Sequence, residues 1–112
     1  MELSHQALKP DLVIVSLKGR LDANGSPEVK ALLKDLIETG HLKIIVDLQE
    51  VPFIDSSGLA ALVSGLRLAR EKKGTIALSG VQPQAYTVFR LTMLDRIFAI
   101  HPTSEVAQQS LA

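Results

Sequence analysis

The run Ile44-Ile45-Val46-Asp47-Leu48, followed shortly by Ile54-Asp55-Ser56-Ser57-Gly58-Leu59-Ala60-Ala61-Leu62-Val63-Ser64-Gly65-Leu66, constrains the fold more than any other part of the chain. The first segment is short and almost continuously apolar, the pattern of a strand covered on both faces. The second opens with small polar residues and passes into an apolar stripe at Leu59, Leu62, Val63 and Leu66, the i, i+3, i+4, i+7 spacing of an amphipathic helix. A buried strand handing over to a helix is the first half of a β-α-β unit, which implies a parallel neighbour and a right-handed crossover.

The rest of the chain repeats that alternation. Leu12–Leu17 reads as a strand, paired across a turn at Pro10-Asp11 with a shorter one around Leu3–Leu8. Ser26-Pro27 reads as a helix start, with serine as the cap and proline at the first position. That helix carries Val29, Leu32, Leu33, Leu36 and Ile37 on one face and stops at Gly40. A strand is expected over Lys43–Leu48, and the helix that follows Ile54 should end before Gly74. Thr75–Ser79 reads as the next strand, Pro83 starts a helix to about Leu91, and Ile97–Ile100 is expected as a short final strand. Thr103 is placed to cap a last helix reaching about Ser110. The expected fold is therefore α/β, with a mostly parallel sheet, an N-terminal antiparallel strand and four helices.

The chemistry concentrates where the buried strand meets its helix. Any of Asp55, Ser56 and Ser57 could cap the first turn, where unused N–H groups and the helix dipole carry partial positive charge. A hydroxyl held there is accessible, and phosphorylation would make it the largest local charge on the domain. The plain alternative is a helix cap and nothing more. Gly58 is costly inside a helix but permits close approach of another backbone near its start. Gly19-Arg20-Leu21-Asp22-Ala23-Asn24-Gly25 reads on its own as a strand end with its loop.

Composition narrows the function. At 112 residues and 46% hydrophobic, the chain suits one domain over 1–112 that folds without staples. It has no cysteine, so disulfides and thiol chemistry are excluded. His5, His41 and His101 show no metal-ligand spacing, and no phosphate loop ending in Gly-Lys-Ser/Thr is present, so neither metal nor cofactor is expected. Twelve basic residues balance twelve acidic ones, which argues against nucleic acid. Arg67, Arg70, Lys72 and Lys73 read as cations complementing a helix C-terminus. Phe53, Tyr86, Phe89 and Phe98 are expected in the core. A serine hydrolase is disfavoured because Ile54 stands where Gly-x-Ser-x-Gly needs its first glycine. The N-terminus lacks a basic start and an apolar run, and no stretch approaches the roughly 18 apolar residues of a membrane helix, so a cytoplasmic location is expected.

Phe53-Ile54-Asp55-Ser56-Ser57-Gly58-Leu59, with Gly19-Arg20-Leu21-Asp22 upstream and Ile44–Leu48 between, resembles the STAS family, most closely the bacterial anti-sigma factor antagonists. The resemblance covers nearly the whole chain and implies a β-α superhelix. It implies phosphorylation of the serine directly after the aspartate, here Ser56, with adjacent Ser57 the second choice. It further implies a partner surface made by Arg20, Asp22, Ala23, Asn24, Gly25, Asp55, Ser57, Gly58 and Leu59. The implied partners are an anti-sigma factor that is also a serine kinase, and a metal-dependent serine phosphatase. The chain itself would not be an enzyme. Control of a transporter or another non-sigma output is the alternative.

Overall fold

Five strands line up in sequence order, β1 (Glu2–Lys9), β2 (Leu12–Lys18), β3 (Lys43–Glu50), β4 (Thr75–Ser79) and β5 (Ala99–His101). The computed structural model describes residues 1–111. β1 is antiparallel to β2, and every later pairing is parallel. Helices α1 (Ser26–Glu38), α2 (Ser56–Glu71) and α3 (Pro83–Leu91) each connect one strand to its immediate neighbour, always stepping the same way. Right-handed crossovers that never reverse direction place all three helices on one face. α4 (Ser104–Leu111) follows β5. Its Ala107 packs with Leu12 and Ile45, which point away from the main core.

Strand alternation explains this division. Val13, Val15, Leu17, Ile44, Val46, Leu48, Ile76 and Leu78 face the helices and meet Leu33, Leu36, Leu62, Leu66 and Phe89 in one core. Phe89 and Phe98 meet edge to face at 5.9 Å. Sandwiched between helix layers, β3 is buried on both faces, as its apolar run required.

Three expectations need correction. The last strand begins at Ala99 rather than Ile97, because a 3₁₀ turn over Leu94–Arg96 claims the N–H groups of Ile97 and Phe98 for the Leu94 carbonyl. Ser26 does not cap α1; Gly25 holds that position without a side-chain bond, and Ser26 is the first helical residue. Of the four aromatics, only Phe89 and Phe98 are buried, whereas Tyr86 is 41% exposed. Thr103 does serve its helix, accepting a bond from the Val106 N–H at 3.2 Å.

Ser79 and His101 are cross-strand neighbours on β4 and β5. The Ser79 hydroxyl and His101 Nε2 are buried without a hydrogen-bond partner among the described residues. A buried hydroxyl left unpaired costs about 1–3 kcal/mol. Ser79→Ala should therefore leave stability unchanged or raise it by about 1 kcal/mol in urea denaturation. A loss of similar size would mean that the hydroxyl is engaged.

Candidate functional site

Beyond the end of the regular sheet, the segments that follow β2 and β3 stay joined. Leu21 and Ile54 form an isolated parallel bridge. The Leu21 N–H donates to the Phe53 carbonyl at 3.0 Å, and the Asp55 N–H donates to the Leu21 carbonyl at 3.2 Å. The two loops are thereby held as one rim at the C-terminal edge of the strands.

Each loop is internally tied by an aspartate. Asp55 is the N-cap of α2, and its Oδ1 accepts from the N–H groups of Ser57 at 2.9 Å and Gly58 at 3.1 Å. Asp22 does the same in the other loop, accepting on Oδ1 from Asn24 at 3.0 Å and Gly25 at 3.3 Å. Its carbonyl takes the Ser26 N–H at 2.8 Å, which launches α1. Arg20 reaches Asp22 Oδ2 at 3.7 Å and lays its guanidinium 3.9 Å from the centre of the Phe53 ring. That stack binds one rim segment to the other by cation–π attraction.

Asp55 as cap leaves Ser56 as the first helical residue. Ser56 is exposed, whereas Ser57 is half-buried and lines a groove of about 410 Å³ between the starts of α1 and α2, with Ser26, Pro27, Lys30, Ala60 and Ala61. The adjacent serines thus face different surroundings. Of the other residues on the two joined loops, Arg20, Ala23 and Asn24 are exposed, and Asp22 and Asp55 are half-buried.

Three residues assigned to the partner surface lie beneath it. Gly25 and Gly58 are buried, and Leu59 is 7% exposed. A Cβ on Gly58 would lie 2.4 Å from the Leu21 carbonyl oxygen and 2.7 Å from Leu21 Cγ. The backbone that approaches Gly58 belongs to this domain and leaves no room there for a larger side chain. Sequence reasoning also missed Gln84, whose side-chain amide accepts from the Ile54 N–H at 3.0 Å and donates to the Ile54 carbonyl at 3.2 Å. A glutamine just after a helix-starting proline gives no signal of a clamp 30 residues away in sequence.

A family model describing the STAS domain matches residues 6–107. The chain belongs to the STAS domain family. It is 28% identical over 90 residues to the anti-sigma-B factor antagonist of Listeria monocytogenes, covering 80% of this chain and 79% of that one. It is 29% identical over 91 residues to the anti-sigma F factor antagonist of Paenibacillus polymyxa, covering 80% of this chain and 78% of the relative. Among solved structures, unphosphorylated SpoIIAA, an anti-sigma factor antagonist, superposes with a TM-score of 0.87 at 22% identity, covering 98% of this chain and 96% of SpoIIAA. The phosphorylated form of the Bacillus protein gives 0.80 at 20% identity, covering 99% and 100%. At these identities the superpositions establish the shared STAS fold. Among the described residues, no helix is long and apolar enough to cross a membrane, and no group of three or more His, Asp or Glu could hold a metal ion.

The Gly58 contact yields a test. Gly58→Val should lower stability by more than about 2 kcal/mol, because backbone must shift to admit the side chain. An exposed neighbour, Ala60→Ser, should stay within about 0.5 kcal/mol. Thermal melts of both variants would check this; a Gly58→Val protein melting with the parent would contradict the packing.

Proposed function

We propose that this chain is an anti-sigma factor antagonist in a partner switch, with Ser56 as the phosphoacceptor. The observation that carries the proposal is an exposed Ser56 at the first position of α2, on a rim pinned by Asp55 and Leu21. In the family's relatives, the names anti-sigma-B and anti-sigma F factor antagonist support the same reading.

Unphosphorylated, the rim binds an anti-sigma factor that is also a serine kinase, and a sigma factor is released. The Ser56 hydroxyl then attacks the γ-phosphorus of ATP held by that kinase. Its proton passes to a base on the kinase, the bond to the β-γ bridging oxygen breaks, and ADP leaves. ATP, magnesium and the base all belong to the partner. A metal-dependent serine phosphatase removes the phosphate by hydrolysis and restores binding.

Phosphate at Ser56 adds about −1.5 to −2 charges at neutral pH. The helix N-terminus favours an anion by about 0.3–1 kcal/mol, while Asp55 and Asp22 oppose it by a similar amount through water. Within the domain these effects nearly cancel, because Ser56 remains solvated. At an interface the dianion must be desolvated against a surface shaped for a hydroxyl, which costs several kcal/mol. Each 1.4 kcal/mol is about a tenfold loss of affinity.

Phosphopeptide mapping after incubation with the cognate kinase should find the label at Ser56, lost in Ser56→Ala and kept in Ser57→Ala. The reverse pattern would assign the switch to Ser57. Ser56→Asp should melt within a few degrees of the parent yet bind the kinase at least about tenfold more weakly. Undiminished binding by a folded Ser56→Asp would contradict the mechanism.

A further inference from the structure

Half of the chain's cations lie in two short stretches that follow Ser56 in the sequence. Arg67, Arg70, Lys72, Lys73, Arg90 and Arg96 fall within 66–73 and 90–97, accompanied by only two acids, Glu71 and Asp95. The chain as a whole is neutral, so this concentration is a real asymmetry. The two stretches meet at the C-terminal half of α2, where Arg70 Nη2 donates to the Ile97 carbonyl at 3.0 Å.

A groove of about 460 Å³ opens there, lined by Val63, Leu66, Arg67, Arg70, Glu71 and Ile97. Val63, Leu66 and Ile97 supply its apolar walls. Within the 90–97 stretch three large apolar side chains are exposed: Ile97 at 44%, Met93 at 60% and Leu91 at 77%. Met93 holds a positive φ of 61°, a conformation that a non-glycine residue adopts only at some cost. Among the described residues the ion pairs are Arg20–Asp22 and Lys43–Asp11, so neither Arg67 nor Arg70 is ion-paired there, and Glu71 is the one acid beside them in the groove lining.

We propose that this groove is a second docking site, which takes an acidic amphipathic helix of a partner protein independently of the serine switch. Apolar side chains of such a helix at i, i+3, i+4 and i+7 would enter the groove, and flanking Asp or Glu would face Arg67 and Arg70. An anionic membrane would share the charge preference but not the concavity, since a bilayer surface cannot fill a groove. Ser56 begins α2 and the groove lies along its last two turns, so one helix would carry both sites at opposite ends.

The test uses two synthetic helical peptides of about 16 residues with one Leu stripe, one flanked by Glu and the other by Lys. Fluorescence anisotropy should show saturable binding of the Glu peptide and at least about tenfold weaker binding of the Lys peptide. Arg67→Glu, an exposed position, should reverse that preference, and Ile97→Ser should weaken the Glu peptide by about tenfold. Ser56→Asp should leave its Kd within about twofold, which separates failure here from failure of the serine switch. Equal binding of the two peptides, unchanged preference in Arg67→Glu, or stronger retention on phosphatidylglycerol vesicles than on the Glu peptide would each overturn the proposal.

Discussion

The short parallel bridge between Leu21 and Ile54 is the constraint on which the candidate functional surface depends. Parallel strands ordinarily separate once their ladder ends, and their loops then move apart. Here two backbone bonds continue the pairing past the sheet, and each is buried or half-buried among Leu21, Ile54 and Gly58. Gly58 is required because α2 starts directly against the Leu21 carbonyl, leaving no volume for a Cβ. Gln84 closes the arrangement from α3 by satisfying both polar groups of Ile54. Three successive β-α units thus contribute to one small rigid area.

That rigidity bears on how a single serine could act as a switch. Ser56 stands on a helix whose next two N–H groups are already occupied by Asp55. A phosphate arriving there finds no vacant capping position at Ser57 or Gly58, so it adds charge to a surface that has little reason to rearrange. In the proposed switch, the signal would be read by what the surface no longer fits, and not by a change in the domain's shape. The topology suits such a readout: with every crossover stepping the same way, the loops after β2, β3 and β4 line one continuous edge.

Much of the fold was legible because strand and helix periodicities are clean. The double burial of β3 followed from its apolar run, and α2 from the Leu59–Leu66 stripe. The boundaries that failed were set by competition for backbone N–H groups. Leu94 captured those of Ile97 and Phe98, and Asp22 organised the start of α1 in place of Ser26. At the site, local features such as a cap drawn from Asp55, Ser56 or Ser57 and an accessible serine could be anticipated from adjacent residues, although which of the three caps could not. The Gln84 clamp, the Arg20–Phe53 stack and the filled space above Gly58 could not, because each joins residues more than 29 positions apart. Gly58 shows the difference most clearly: its need for close approach was readable, but the approaching chain was not.

The most direct measurement is amide hydrogen exchange on the unphosphorylated and Ser56-phosphorylated protein. A rigid platform predicts unchanged protection at the Leu21 and Asp55 amides, whose bonds form the bridge. Perturbation should be confined to Ser56 and its immediate neighbours. A marked loss of protection at Leu21 or Asp55 on phosphorylation would mean that the rim opens, and that the switch works by conformational change.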